Sequence, residues 1–159
     1  MKKTLWVFIF LVMIALFKPA VFSHCEIPCG IYNDEMRFTM VEEHIKTIEK
    51  AMKEIVNLSE HQPTNFNQIV RWVTNKENHA EEIQYIISRY FLTQRLKLVE
   101  KEDDEANKIR MEQLSLCHEI LVYAMKAKQT TDLSNVEKLK SVVKVFKDSY
   151  FKAKTENKT

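Results

Sequence analysis

Apolar residues recur at helical spacing along the first half of the chain, beginning a few residues after position 34. One stripe comprises Phe38, Val41, Ile45, Ile48, Met52 and Ile55, and a second comprises Ile69, Trp72, Val73, Ala80, Ile83, Ile87, Tyr90 and Gln94. Intervals of three and four residues place each stripe on one face of an α-helix. Asn33 or Asp34 can cap the first helix, and Pro63 breaks the chain before the second. The pattern predicts two amphipathic helices joined by a short link.

The second half of the chain repeats this pattern after a charged link, Glu100 to Glu105. The stripes there comprise Ile109, Leu114, Cys117, Leu121, Ala124 and Met125, and then Val136, Leu139, Val143, Phe146 and Tyr150. Ser134 and Glu137 have the spacing of a capping box at the start of the last helix. Four such segments with short connections predict an all-α fold, an antiparallel up-and-down four-helix bundle over about residues 34–153.

The amino-terminal residues have the pattern of a secretory signal peptide. Two lysines precede Leu5–Phe17, an apolar run of 13 residues. Val21 and Ser23 suit the positions before a cleavage site, so we expect cleavage before His24 by signal peptidase or a dedicated protease. An uncleaved membrane anchor is the alternative, which the short apolar run disfavours. The chain thus divides into a removed leader, 1–23, and one mature domain, 24–159.

Export follows from this division: we expect a periplasmic or secreted protein, the alternative being a cytoplasmic protein with a processed leader. The charge balance fits a mature protein without a nucleic-acid partner. The whole chain has a formal net charge of +2, but the leader contributes three lysines and no acidic residue. Without them no excess of basic residues remains, and the sequence has no basic stripe with interleaved aromatic residues.

Residues 24–32 read His-Cys-Glu-Ile-Pro-Cys-Gly-Ile-Tyr and hold the only glycine of the chain. If His24 becomes the terminus, its amine and imidazole, the Cys25 amide nitrogen and the thiolates of Cys25 and Cys29 all lie within six residues. Pro28 and Gly30 allow the chain to turn back. Two nitrogens and two thiolates in a plane suit Ni(II) or Cu(II), whereas Zn(II) prefers a tetrahedral site. Thiolate and amidate donors also stabilise a higher oxidation state, which favours a one-electron catalyst.

The motif His24-Cys25-x-x-Pro28-Cys29-Gly30-x-Tyr32 closely resembles the metal hook of nickel-containing superoxide dismutases. The resemblance implies an enzyme with one nickel ion per subunit that converts superoxide to oxygen and hydrogen peroxide by Ni(III)/Ni(II) cycling. His24, Cys25 and Cys29 would be the metal ligands. It also implies a homohexamer.

The resemblance further implies two tyrosines beside the open face of the metal, Tyr32 and, from the bundle, Tyr90. Their hydroxyl groups would order water or superoxide. Family members orient the axial imidazole with a carboxylate and an arginine. Near the expected position of the acid this chain has Val41, followed by Glu42 and Glu43, and no arginine is assigned.

A second interpretation remains open, in which Cys25 and Cys29 form a disulfide in a secreted helical interaction module that binds no metal. Cys117 lies on an apolar stripe in either case and is expected to be an inert core residue. The histidines of the mature chain after the hook have no metal-ligand spacing and receive no role: His44, His61, His79 and His118.

Overall fold

The computed structural model describes residues 32–98 and 104–156, and within them the regular elements are all helical. The helices are α1 (Asp34–Glu60), α2 (Phe66–Tyr85), α3 (Asp104–Gln129) and α4 (Leu133–Glu156), and a π-helical segment, Ile86–Arg95, continues directly from α2. The described residues from Asn33 to Glu156 form one compact unit. The predicted leader and the hook up to residue 31 lie outside the described residues.

Side chains of short polar residues begin three of the helices. Asn33 caps α1 by accepting a hydrogen bond from the Met36 amide at 3.0 Å, and Asn65 caps α2 in the same way. At the start of α4 the cap is Asp132, whose carboxylate accepts from the amide and the hydroxyl of Ser134. The prediction that Ser134 and Glu137 form a capping box is therefore wrong, because the helix begins at Leu133, two residues earlier than that spacing assumes.

The helices pack in chain order, and α1 also packs against α4, which closes the predicted four-helix bundle. The α4 stripe is buried throughout, and so is the α1 stripe except for Ile55, which is partly buried. The α3 stripe is shifted: Met125 is 41% exposed, whereas Ile120 and Ala127, which the pattern did not select, are buried. The fold class is confirmed. The predicted link at Glu100–Glu105 ends earlier than expected, because Asp104 and Glu105 already belong to α3.

A buried lysine ties α2 to the connection between α3 and α4. The Lys76 Nζ donates to the backbone carbonyls of Lys128 at 2.7 Å and Thr130 at 2.9 Å. These carbonyls lie at the carboxyl end of α3, where the helix dipole favours a cation. Burial lowers the pKa of the Lys76 ammonium group, and the charge of Glu77 acts in the opposite direction. The lysine thus supplies hydrogen bonds to carbonyl groups that have no partner within the helix.

The π-helical segment has a wider winding than the helix that precedes it. The Leu96 amide donates to the Phe91 carbonyl at 2.9 Å, five residues back, and Thr93 Oγ1 donates to the Ser88 carbonyl over the same interval. In an α-helix two residues five positions apart are separated by about 500°, which is about 140° beyond a full turn. Hydrogen bonds over five residues bring such positions nearly above one another. Tyr90 and Arg95, five apart, can therefore face the same neighbour.

Aromatic rings fill the core at the end of the bundle where α1 begins. The Phe38 ring centroid lies 4.6 Å from that of Phe91 and 5.5 Å from that of Phe146, and Tyr150 packs edge-on against Phe91. Phe38 is fully buried. Burial of each ring of this size contributes about 1.5–3 kcal/mol to the stability of the fold, and the contacts between tilted rings add to that.

Among the described residues, 32–98 and 104–156, no helix is both long enough and apolar enough to cross a membrane.

Replacing Phe38 with alanine tests this aromatic core. Phe38→Ala removes a ring of α1 that packs against the π-helical segment and α4, so we expect the free energy of unfolding to fall by about 3–5 kcal/mol in urea denaturation. Phe66→Ala is the matched control, because the Phe66 side chain is 73% exposed, and it should change the unfolding free energy by less than about 0.5 kcal/mol. Equal losses in the two variants would contradict the assignment of Phe38 to the core.

Candidate functional site

The structure describes two of the predicted site residues, Tyr32 and Tyr90. Tyr32 is 43% exposed, whereas Tyr90 is 4% exposed and lies in the π-helical segment. The predicted nickel ligands His24, Cys25 and Cys29 lie outside the described residues. Within the described part of the chain, no three or more histidine, cysteine, aspartate or glutamate side chains are grouped so that they could hold a metal ion.

Tyr90 belongs to a group of polar side chains around a buried carboxylate, which we call the Asp34 cluster: Asp34, Tyr90, Arg95, Tyr150 and Lys154. The Tyr90 hydroxyl donates to Asp34 Oδ1 at 2.7 Å, and the Tyr150 hydroxyl donates to Oδ2 at 2.9 Å. Arg95 donates to both oxygens, from Nε at 2.8 Å and from a terminal nitrogen at 2.9 Å. Lys154 Nζ donates to Oδ2 at 2.6 Å. One carboxylate thus accepts hydrogen bonds from four side chains.

The fold positions these side chains from three directions. Asp34 is the first residue of α1, where the partial positive charge of a helix amino terminus favours a carboxylate. The π-helical winding lets Tyr90 and Arg95 face the same carboxylate. Tyr150 and Lys154 are four residues apart on α4, so their side chains lie on one face of that helix.

The hydrogen bonds determine the charge of Asp34. Burial alone raises the pKa of this carboxyl group, but the hydrogen bonds from Arg95, Lys154, Tyr90 and Tyr150 outweigh burial and hold the pKa well below its usual value. Asp34 is therefore a carboxylate at neutral pH, and with its side chain only 2% exposed it is a buried charge that needs these partners.

The same contacts keep the two tyrosines protonated. Burial raises the pKa of Tyr90 to about 12, and the hydrogen bond to Asp34 and its charge add to this, while the charges of Arg95 and Arg37 act in the opposite direction. Burial and Asp34 likewise raise the pKa of Tyr150. The Arg37 guanidinium also lies over the Tyr90 ring, 5.0 Å from its centroid, in a cation–π contact. Tyr90 is thus a fixed, neutral phenol with two cationic neighbours, Arg37 and Arg95.

The sequence pattern did not predict four members of this cluster. The helical pattern indicates Asp34 only as a helix cap and Tyr150 only as a core residue. Two residues near the expected acid position do not enter the cluster: Val41 is buried in the core, and Glu42 pairs with Lys147 at 3.2 Å. The four-residue spacing of Tyr150 and Lys154 shows that they share a helix face, but no local signal connects them with Asp34.

Cys117 is a buried core residue, as predicted. Its side chain is fully inaccessible, and burial raises the pKa of the thiol to about 12, so it remains protonated at neutral pH. A protonated thiol is a poor nucleophile and a poor metal ligand.

Two histidines that received no role from the sequence lie together between α1 and α2. The His44 and His79 Nδ1 atoms are 2.7 Å apart, which requires one nitrogen to donate and the other to accept. His44 Nε2 is buried, and no described residue hydrogen-bonds it. Burial and then the charge of His79 lower the pKa of His44, whereas Glu82 and Glu43 act in the opposite direction. The surroundings of His44 thus favour the neutral form of its imidazole.

A four-helix bundle with a carboxylate–phenol cluster at the start of its first helix is an architecture on which a metalloenzyme site can be built. The sequence matches the family described as nickel-containing superoxide dismutase over residues 19–154, most of the chain, and the protein belongs to that family. It is therefore an oxidoreductase that contains nickel and acts on superoxide. Comparison with curated proteins gives no match. Comparison with solved structures gives none either.

The His44–His79 pair predicts a loss of stability in mildly acidic solution. The folded state lowers the pKa of His44 below its usual 6.5, so stability is fully present above about pH 6.5. It falls at lower pH, because the unfolded chain then binds a proton that the folded chain resists. The slope for one proton is at most about 1.4 kcal/mol per pH unit.

Urea denaturation between pH 7.5 and 5.5 measures this effect. The dependence of the unfolding free energy on pH should be smaller in His44→Gln than in the wild type. His118→Gln is the control, because His118 is exposed, and it should retain the wild-type dependence. The same slope in His44→Gln and in the wild type would show that the pair does not contribute.

Proposed function

We propose that the mature protein begins at His24 and dismutates superoxide with a nickel ion held in an amino-terminal hook, residues 24–32. The observation that carries this proposal is the family match, whose range of residues 19–154 includes the whole motif. In the overall reaction two superoxide anions and two protons give one molecule of oxygen and one of hydrogen peroxide. The electrons balance because one superoxide is oxidised while the other is reduced.

The donor atoms of the hook suit nickel. His24 would supply its terminal amine and its imidazole, Cys25 its amide nitrogen and its thiolate, and Cys29 a second thiolate. Nitrogen and thiolate donors of this kind fit a planar nickel centre better than they fit zinc. Bound nickel would supply one-electron oxidation and reduction by alternating between Ni(III) and Ni(II).

The described residues support a role for Tyr90 in holding small polar species at the site. Its hydroxyl is fixed by Asp34, and the nearby charges of Arg37, Arg95 and Lys154 exceed the single negative charge of Asp34. A net positive region attracts an anion such as superoxide. Tyr32, the last residue of the hook, is the proposed second tyrosine. Asp34 follows it after one intervening residue, so the chain enters α1 directly from the hook.

The remaining features follow from the same proposal. Signal peptidase or a dedicated protease would remove residues 1–23, which frees the His24 amine and accompanies export from the cytoplasm. Each subunit would carry one nickel ion, and the subunits would assemble as a homohexamer. The protein would act on superoxide in the periplasm or outside the cell.

Intact mass spectrometry under native conditions tests the proposal on protein purified from nickel-supplemented cells. We expect a chain that begins at His24 with about one nickel ion per subunit. Cys29→Ser should lose the nickel and at least about 100-fold of the superoxide dismutase activity, because it removes a thiolate ligand. Cys117→Ala is the matched control and should retain both, since Cys117 is a buried core residue.

Two results would contradict the proposal. One is a mature chain that begins elsewhere than at His24, which would lack the amine ligand. The other is a metal-free protein two hydrogens lighter than its sequence requires, which would indicate a Cys25–Cys29 disulfide and favour a secreted interaction module.

A further inference from the structure

We propose that Asp34 is a positioning residue for the dismutase reaction. Because the Tyr90 hydroxyl donates its proton to Asp34, it can only accept hydrogen bonds from any other partner. This inference rests on the role proposed above for Tyr90. It adds Asp34, a residue outside the hook, to the residues that support the reaction, and it specifies which hydrogen bonds Tyr90 can make during turnover.

The direction of the Tyr90 hydrogen bonds follows from the single proton of its phenol. A phenol oxygen has one proton to donate, and a carboxylate can only accept. The Tyr90 oxygen and Asp34 Oδ1 are 2.7 Å apart, and Asp34 is ionised at neutral pH. The proton therefore belongs to Tyr90 and is directed at Asp34 Oδ1. Any further partner of the Tyr90 oxygen must therefore donate a proton to it.

The carboxylate that receives this proton is held in one orientation. Arg95 binds both of its oxygens, which fixes the carboxylate plane, and a paired contact of this kind is geometrically specific. Tyr150 and Lys154 hold Oδ2 from α4. Oδ1 thus remains directed at Tyr90, because rotation of the carboxylate would break several charge-assisted hydrogen bonds at once.

The Tyr90 ring is also fixed. Arg37 lies over its face, 5.0 Å from the centroid, and Phe91 packs against it edge-on with the ring centroids 5.2 Å apart. The hydroxyl therefore has little freedom to leave Asp34 and to turn its proton towards a substrate. The raised pKa of Tyr90, about 12, agrees with a phenol that keeps its proton at neutral pH.

This arrangement separates the species that Tyr90 can bind. Superoxide has no proton and only accepts hydrogen bonds, so the Tyr90 oxygen cannot bind it directly. Water and hydrogen peroxide carry protons and can donate to that oxygen. Tyr90 therefore holds a water molecule that in turn donates to superoxide, or holds the peroxide product, and the protons consumed in the reaction come from water and not from Tyr90.

Raman spectroscopy tests the orientation directly, because the intensity ratio of the tyrosine ring doublet differs between a phenol that donates a hydrogen bond and one that only accepts. The difference spectrum between the wild type and Tyr90→Phe isolates the signal of Tyr90. We expect the signature of a strong donor in that difference. The signature of a phenol that only accepts would overturn the inference, whether or not the sample contains nickel.

Turnover tests the positioning role. At equal nickel content, Asp34→Asn should lower kcat by about 10- to 100-fold, the range for loss of a supporting partner near a reaction centre. In the Tyr90→Phe background the same substitution should have no further effect, since its partner is already gone. Glu49→Gln is the matched control: Glu49 is an ion-paired carboxylate on α1 that accepts from Lys53 and Lys140, and its replacement should leave kcat unchanged.

An equal effect of Asp34→Asn in both backgrounds would show a structural role and overturn the inference. Wild-type turnover in a nickel-loaded Asp34→Asn protein would overturn it as well. If Asp34→Asn does not fold, the Raman difference spectrum still decides the orientation. A wild-type protein without nickel or activity would contradict the proposed function instead, and the Raman signature would then report on the Asp34–Tyr90 contact alone.

Discussion

The arrangement at one end of this bundle depends on the buried carboxylate of Asp34. A charge in that position is stable only if it is paired, and its partners come from the π-helical segment and from α4. Removing one partner of a buried ion pair typically costs about 3–5 kcal/mol, because the other charge is left uncompensated. The cluster therefore fixes the relative placement of α1, the π-helical segment and α4. It does so more strictly than apolar packing alone, because apolar contacts tolerate small shifts and charge-assisted hydrogen bonds do not.

This constraint acts where the chain enters the bundle. Asp34 is the first residue of α1, and the motif His24-Cys25-x-x-Pro28-Cys29-Gly30-x-Tyr32 ends two positions before it. The cluster thus fixes the first turn of α1, the helix that follows Tyr32 and Asn33 in the sequence. The aromatic rings of Phe38, Phe91 and Phe146 support the same end of the bundle from within the core.

Most of the fold could be predicted from the sequence, because helical periodicity is a local property of the chain. The α4 stripe was correct at every position, and the errors, at Met125 and Ser134, concern how a helix is rotated or where it begins. The Asp34 cluster could not be predicted in this way. Its partners lie between 56 and 120 positions from Asp34 along the chain, and the π-helical winding that aligns Tyr90 with Arg95 leaves no signature in the apolar pattern. The motif of residues 24–32, in contrast, lies within nine consecutive residues, and the range of the family match includes it.

The π-helical segment has a consequence for how the sequence can change over evolutionary time. Between residues 86 and 95 the alignment of side chains depends on the number of residues more than on their identity. At its present length the segment must keep the wider winding, because ordinary α-helical winding would turn Arg95 about 140° away from Tyr90. A deletion of one residue between the two would leave them four apart, about 40° beyond a full turn, so α-helical winding would then keep them on one face. Substitutions on the exposed side of the segment leave the winding intact. Descendants of this sequence are therefore expected either to keep this length with the wider winding or to lose one residue and continue as an ordinary α-helix.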